Sequence, residues 1–163
     1  MPYNSVSGSN YARMVYDKIY DRLAYVHADG TLSPRAAKSW ESADGGTAAL
    51  FHLDEHAAFH DGTPVTAESF TKAWSYTANA KNAQKCASFF STIKGYDKLQ
   101  DADNLKGDEQ LEGLTVVNDN EFTVDLNQSD SVFAIKVGYS GFAPLPESFY
   151  KDPKAFGEKP VGN

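Results

Sequence analysis

The sequence predicts an α+β domain in which helices pack on a mainly antiparallel sheet, and three observations support this class. Residues 114–126 show the clearest hairpin pattern, with apolar residues alternating on both sides of a turn at 118–120. Apolar residues recur with helical period at residues 9–23 and again after Thr66. Helical and hairpin segments follow one another without the strand–helix–strand rhythm of a parallel sheet, which favours α+β over α/β.

The first predicted helix covers residues 9–23 and carries one apolar stripe along its length. The stripe consists of Tyr11, Met14, Val15, Ile19 and Leu23. Ser7 or Ser9 can cap the start of this helix through a side-chain oxygen. A short hairpin is then expected around the turn at residues 28–30, and Pro34 excludes a regular central strand directly after it.

A strand, a turn and a second helix are predicted in the next segment. Residues 47–53 alternate so that Ala49, Phe51 and Leu53 share one face of a strand. Residues 61–64 (Asp-Gly-Thr-Pro) form a tight turn, after which Thr66 caps the helix. The stripe of that helix includes Phe70, Ala73, Trp74 and Thr77.

The second half of the chain shows weaker patterns before and after its hairpin. Residues 78–85 are polar and loop-like, and residues 86–100 are read as a weaker helix that breaks near Gly95. A short capped helix is expected from about residue 131. No internal repeat is visible, so residues 1–163 are expected to form a single domain.

The composition is that of a folded protein with an acidic surface. The 163 residues are 41% hydrophobic and 13% aromatic, which provides enough apolar surface to offset the entropy of ordering the chain. Fifteen basic and 22 acidic residues give a net charge of −7, without any run of Lys or Arg. Nucleic acids and anionic lipids both require clustered cations, so neither is a predicted partner. The single cysteine, Cys86, excludes an internal disulfide.

Three histidines at four-residue spacing raise the question of a metal site. His52, His56 and His60 lie among carboxylates, and imidazole and carboxylate groups are ligands that zinc prefers. They would share a face on a helix, and a metal-dependent hydrolase is the alternative function that follows. The alternation at residues 47–53 instead predicts a strand, on which the histidines do not converge, so exposed polar positions are the favoured interpretation. No nucleophile-elbow, P-loop or dinucleotide-binding motif is present, and neither an enzyme nor a cofactor is predicted.

Residues 32–74, LSPRAAKSWESADGGTAALFHLDEHAAFHDGTPVTAESFTKAW, resemble the signature region of the family 5 extracellular solute-binding proteins. This family includes the oligopeptide- and dipeptide-binding proteins of bacterial ABC importers. The matching positions are Pro34, Ala37, Ser39, Trp40, Glu41, Asp44, Gly45, Phe51, Leu53, Phe59, Asp61, Gly62, Pro64, Val65, Thr66, Ala67, Glu68 and Trp74. The hairpin at 114–126 and the segments FAPLPESFY and FGEKPVGN look like further family motifs. One departure is Asp54, where the family usually has Arg or Lys.

The resemblance implies a place for this chain within a larger receptor. Family members are much longer and fold as two lobes that close on a peptide, with an extra small subdomain on the first lobe. The chain is similar to that subdomain with its flanking segments, so it is expected to be a monomeric fragment of a two-lobed periplasmic-binding-protein-like (type II) fold. The whole protein would lie outside the cytoplasm, usually as a lipoprotein, and would deliver its ligand to permease subunits. Relatives that bind nickel complexes, haem or sugars leave the ligand class open.

The resemblance also implies which residues face the ligand. The first predicted group lies in the loop that enters the first helix: Ser7, Gly8, Ser9 and Asn10. The second group aligns with a stretch that touches ligand in oligopeptide-binding members: Cys86, Ala87, Ser88 and Phe89. Those members tend to have Tyr where this chain has Cys86, which implies a wider local pocket. The alternative is that both segments are surface turns.

Overall fold

The computed structural model describes residues 10–163, and it describes side chains from Val15 onward except that of Asp44. The helices in this part of the chain are α1 (Asn10–Ile19), α2 (Ala67–Ala78), α3 (Phe133–Lys136), α4 (Glu147–Lys151) and α5 (Pro153–Glu158). The strands are β1 (Ala24–Val26), β2 (Leu32–Pro34), β3 (Ala37–Ala43), β4 (Ala48–Leu53), β5 (Leu114–Asn118) and β6 (Glu121–Asp125). The capping role predicted for Ser7 or Ser9 lies outside the described residues.

An antiparallel sheet of four strands, in the order β3-β4-β6-β5, supports the fold. Strands β1 and β2 form a separate antiparallel hairpin, as the turn at residues 28–30 predicts. Phe51 of β4 lies opposite Trp40 on one side and Phe122 on the other. The rings of Phe51 and Phe122 stack with centroids 5.3 Å apart, which places the inner face of the sheet in the core. The predicted α+β class is confirmed.

Helix α2 covers the inner face of the sheet and carries the centre of the core. It begins directly after Thr66, whose N–H donates to Ser69 Oγ at 3.1 Å. All four stripe positions predicted for this helix are buried. Trp74 is fully buried, and its Nε1–H donates to the Phe142 carbonyl oxygen at 2.9 Å. The indole therefore satisfies its polar atom while it fills the core.

An aromatic cluster around Trp74 joins the sheet, α2 and the loops of the second half. The Trp74 ring centroid lies 6.0 Å from Phe90, 5.6 Å from Phe122 and 5.0 Å from Phe142. The contacts with Phe122 and Phe142 are edge-to-face, and such contacts add about 0.5–1.5 kcal/mol for each pair to the free energy gained by burying the rings. Trp40 is only partly buried and packs against the rim of the same core.

The structure corrects the sequence predictions in three places. Residues 37–43 form strand β3, which was not predicted because most of its side chains are exposed and no alternation marks it. Helix α1 ends at Ile19 rather than at Leu23, which is buried next to the hairpin. Residues 86–100 form two short 3-10 turns, 87–90 and 96–99, instead of a weaker α-helix.

The break near Gly95 has a clear physical cause. Gly95 has φ +86°, and Ile93 just before it forms a bridge with Leu126 at the end of the sheet. The chain must therefore turn twice within a few residues to stay beside the end of the sheet, which a continuous helix would not allow.

Within residues 10–163, no helix has the length and apolar character needed to cross a bilayer.

Candidate functional site

The three histidines lie in different environments and bind different partners. His52 projects from β4, where its Nδ1 lies 2.8 Å from Glu121 Oε1 on the neighbouring strand. The His56 side chain is 87% exposed. His60 Nδ1 accepts a hydrogen bond from the Gly162 N–H at 3.1 Å. In the part of the chain that the structure describes, no three His, Cys, Asp or Glu residues are grouped in a way that could hold a metal ion.

An apolar groove of about 530 Å³ is a concave feature that the sequence prediction did not describe. It runs between β1, α3 and the turns at residues 87–90 and 138–142. Its walls are formed by Asp17, Arg22, Tyr25, Val26, Phe89, Val132, Ile135, Lys136, Gly138, Tyr139, Ser140 and Phe142. Its size lies within the range of pockets that bind small molecules or peptide side chains.

The apolar groove gathers exposed hydrophobic side chains. Among the described residues, the large hydrophobic side chains that are exposed are Val15, Tyr25, Phe89, Val116, Val117, Val132 and Ile135. Four of these line the groove: Tyr25, Phe89, Val132 and Ile135. Exposed apolar side chains that form a contiguous patch, rather than being scattered singly, mark a ligand-binding groove or a protein–protein interaction site.

The charged groups of the apolar groove are paired within the protein. Arg22 donates to the Gly138 carbonyl oxygen and to Asp17 Oδ1, both at 2.8 Å. Lys136 forms an ion pair with Asp130, which is largely buried. Burial raises the pKa of Asp130, but the hydrogen bonds from Lys136 and the Val132 N–H outweigh it and lower that pKa. These two cations are therefore already engaged, and the groove presents mainly uncharged walls.

The segment predicted to face a ligand, residues 86–89, reaches the apolar groove through Phe89. Phe89 is 42% exposed, and its ring centroid lies 4.8 Å from that of Tyr139. Ser88 is exposed, whereas Ala87 is half-buried. Cys86 is 3% exposed and lies under the turn at residues 140–142. Of the four residues predicted, Phe89 thus lines the groove, and Cys86 lies beside Gly141.

The other predicted segment is described only in part. Ser7, Gly8 and Ser9 lie outside the described residues, and Asn10 begins α1 with a side chain that is not described. Helix α1 contacts the turn at residues 140–142, which also covers Cys86.

Sequence reasoning missed most of the groove residues. Tyr25, Val132, Ile135 and Tyr139 come from two distant regions of the chain, and no motif connects those regions. The available signal was the spacing of Val132 and Ile135, which are three residues apart and therefore share one face of a short helix. That spacing indicates an apolar face but not what lies opposite to it.

The comparisons with known proteins agree on one family. The family model described as bacterial extracellular solute-binding proteins, family 5 Middle, matches residues 31–163. The periplasmic oligopeptide-binding protein OppA of Escherichia coli is 28% identical over 145 residues, covering 86% of this chain and 25% of the relative. The probable deoxycholate-binding periplasmic protein YgiS of the same organism is 27% identical over 138 residues, covering 83% of this chain and 25% of the relative. The chain thus spans about a quarter of the length of these curated relatives.

Solved structures show the same fold. The crystal structure of Haemophilus influenzae OppA in complex with RPPGFSPFR superposes with a TM-score of 0.87 at 25% identity, covering 98% of this chain and 32% of that one. An oligopeptide ABC transporter substrate-binding domain from Bacillus anthracis gives a TM-score of 0.81 at 25% identity, with 91% and 28% covered. The folded unit described above is therefore a recurring part of longer proteins.

Proposed function

The chain belongs to the family 5 bacterial extracellular solute-binding proteins, and from this premise we propose that it is part of the substrate-binding component of an ABC importer that takes up peptides. Relatives named as oligopeptide-binding proteins support the peptide as ligand, and one of them was crystallised with a nonapeptide. Other relatives are named for deoxycholate and for heme, so the ligand class is the part of the proposal that most needs a test.

The proposal includes the setting of the chain in a longer receptor. In this proposal residues 1–163 form one domain of a two-lobed protein and are monomeric as a fragment. The whole protein acts outside the cytoplasm, is anchored as a lipoprotein and delivers its ligand to permease subunits in the membrane. The length of the relatives supports the longer receptor, and the periplasmic location in their names supports its place outside the cytoplasm. The relatives are named as binding proteins, and the receptor is proposed to bind its ligand without chemical change.

The ligand-facing surface is proposed to combine the two predicted segments with the apolar groove. These segments are the loop Ser7, Gly8, Ser9 and Asn10, and the turn Cys86, Ala87, Ser88 and Phe89. The observation that carries this placement is the exposed Phe89 ring, which stands beside Tyr139 at a groove that holds four of the exposed hydrophobic side chains. Aromatic side chains in such positions are the usual anchors of binding energy, because they bury a large area with little loss of conformational freedom.

A calorimetric titration of the complete receptor tests the proposed ligand class. The probes are the peptide RPPGFSPFR, a mixture of short peptides, deoxycholate and heme. We expect saturable binding of peptide and none of deoxycholate or heme. Saturable binding of heme or deoxycholate, without any binding of peptide, would show that the receptor serves another ligand.

The same titration with the chain of residues 1–163 separates the domain from the receptor. The isolated chain would provide only part of the cleft, so the main-chain groups of a bound peptide would stay in water. The free energy of the remaining contacts would then barely exceed the free energy cost of association. We therefore expect the isolated chain to bind peptide at least about a hundredfold more weakly than the complete receptor, a difference of about 2.8 kcal/mol in binding free energy.

A further inference from the structure

His60 holds a second segment of the chain in place, and the proposed ligand surface does not use it. The His60 N–H donates to the Gly162 carbonyl oxygen at 2.7 Å. The His60 ring accepts from the Gly162 N–H through Nδ1 at 3.1 Å. Residue 60 thus binds both polar groups of the Gly162 backbone, one through its own backbone and one through imidazole.

The segment held by His60 lies against the end of α1. Gly162 is buried, and a Cβ atom placed on it would lie 1.9 Å from the Ile19 carbonyl oxygen, so only glycine fits there. Asn163 Oδ1 accepts a hydrogen bond from the Asp21 N–H at 3.0 Å. Residues 160–163 therefore connect the turn that carries His60 with the end of α1.

The imidazole bond depends on the protonation state of His60. A ring nitrogen accepts a hydrogen bond only while it carries no proton, so the Gly162 N–H requires the His60 tautomer with its hydrogen on Nε2. Protonation would turn Nδ1 into a donor that faces the donor of Gly162. The backbone bond from the His60 N–H is unaffected by this change, so protonation weakens the attachment without removing it.

The surroundings allow His60 to be protonated. The residue is exposed, and histidine changes charge between about pH 5 and 8. Asp61 in the same turn has a lowered pKa, owing first to the hydroxyl and N–H of Thr63 and then to His60. Lys18 lines the same cleft from α1. On the side of Asn163, whose Oδ1 accepts from the Asp21 N–H, the charged side chains that line the adjoining cleft are Asp17, Lys18, Asp21, Arg22 and Arg35.

We propose that His60 is a pH-sensitive clamp on residues 160–163. The neutral imidazole holds the Gly162 N–H, and the imidazolium gives up that bond, so the segment loosens from the turn that carries His60 in mild acid. His60 is one of three histidines that the sequence could have offered to a metal, and this geometry gives it a role in proton-dependent conformation instead.

Amide hydrogen exchange measured by NMR on the chain of residues 1–163 tests the clamp. Protection factors, which correct for the intrinsic effect of pH on exchange, are compared at about pH 7.5 and about pH 5, on either side of the histidine range. We expect the protection of the Gly162 amide to fall roughly three- to tenfold on acidification, the loss expected for one neutral hydrogen bond. The Leu53 amide, which donates to the Asn120 carbonyl, serves as an internal reference and should keep its protection.

Two variants separate the clamp from general acid effects. In His60→Asn the amide oxygen can take the place of Nδ1 as acceptor and does not titrate, so protection should be equal at both pH values. His56→Asn should behave like the wild type, because the His56 side chain is 87% exposed and the Gly162 backbone is bound by His60 instead. Constant protection of Gly162 in the wild type, or the same fall in His60→Asn, would overturn the proposal.

The nitrogen chemical shifts of the His60 ring provide a test that needs no variant. At about pH 7.5 we expect Nδ1 to be unprotonated and Nε2 to carry the hydrogen. A neutral ring with its hydrogen on Nδ1 cannot accept from Gly162, and finding it would equally overturn the proposal.

Discussion

Phe89 and Phe90 are neighbours in one 3-10 turn but lie in opposite environments. Phe89 is 42% exposed at the apolar groove, whereas Phe90 is fully buried, with its ring centroid 4.5 Å from that of Phe142. His52 and His60 differ in a similar way, because one pairs with a carboxylate and the other accepts from a backbone amide. At the scale of the residue, the partner that the fold supplies decides what a side chain can do.

Glu109 shows the same principle for a carboxylate in a loop. It accepts hydrogen bonds from the backbone N–H groups of Lys106 and Gly107 and from the side-chain amide of Asn79. These bonds, the two backbone ones first, lower the pKa of Glu109 from 4.5 to about 2. Glu109 thereby fastens its loop to the end of α2, where Asn79 is fully buried.

The substitution Glu109→Gln should change how the free energy of unfolding depends on pH. Because the folded pKa is depressed, the ionised group stabilises the protein above the ordinary pKa of 4.5, and that contribution is lost as the pH falls towards about 2. We expect Glu109→Gln to be less stable than the wild type at pH 7, with the difference shrinking steadily below pH 4.5. Urea unfolding at a series of pH values measures this difference in the free energy of unfolding. The control is Asp108→Asn, which replaces an exposed neighbouring carboxylate. A difference that stays constant with pH would contradict the assigned role.

At the scale of the element, turns set where strands and helices can end. Gly30 in the β1–β2 turn and Gly95 between the two 3-10 turns have nearly the same conformation, with φ of +84° and +86°. Their surroundings differ. A Cβ atom on Gly30 would have no heavy atom within 4 Å, whereas one on Gly95 would lie 2.9 Å from the backbone nitrogen of Glu112.

Alanine substitutions at these two glycines separate backbone strain from steric clash. Gly30→Ala should cost about 1–2 kcal/mol of unfolding free energy, the penalty of a left-handed conformation for a residue with a Cβ. Gly95→Ala should cost about 1–3 kcal/mol more, because the backbone of Glu112 must move. Chemical denaturation of both variants measures the difference. Equal losses of unfolding free energy in the two variants would show that the Glu112 backbone can move aside without a measurable loss of stability.

How well an element could be predicted from the sequence depended on whether it had one buried and one exposed face. Strand β4 and helix α2 each have one buried face, so alternation in one and helical period in the other made them visible. Strand β3 is an edge strand with most side chains exposed, and such a strand leaves no pattern to find. The aromatic run at residues 86–100 resembled a helix face, but the bridge from Ile93 to Leu126 required short turns.

The candidate site was predictable only where a family resemblance pointed to it. Phe89 was identified through that resemblance, and the structure places it at the apolar groove. Tyr25, Val132 and Ile135 were not identified, because tertiary packing alone brings them to the same groove. The alternating pattern of β4 correctly predicted that the three histidines do not converge, because His52 lies on that strand and the other two histidines lie beyond its end.

At the scale of the whole molecule, an aromatic core carries the proposed ligand surface on its outside. The core joins α2, the four-stranded sheet and the turns at residues 87–90 and 140–142. Those two turns have buried residues on one side and contribute Phe89, Ser140 and Phe142 to the apolar groove, where Tyr139 adjoins the second turn. The rigidity of the core therefore positions the groove, which is what a preformed binding surface requires.

Peptide affinity of the complete receptor with single substitutions tests the central claim most directly, namely that peptide binds across the Phe89 side of this domain. Phe89→Ala removes an exposed aromatic residue at the apolar groove, and Val117→Ala removes an exposed apolar residue from β5, outside the groove. With calorimetry and the tightest-binding peptide, we expect Phe89→Ala to weaken affinity at least about tenfold, as for an aromatic anchor. Val117→Ala should leave the affinity within about twofold of the wild type, as is usual for a residue outside the contact. Unchanged affinity in Phe89→Ala, or a larger loss in Val117→Ala, would contradict this account of the ligand surface.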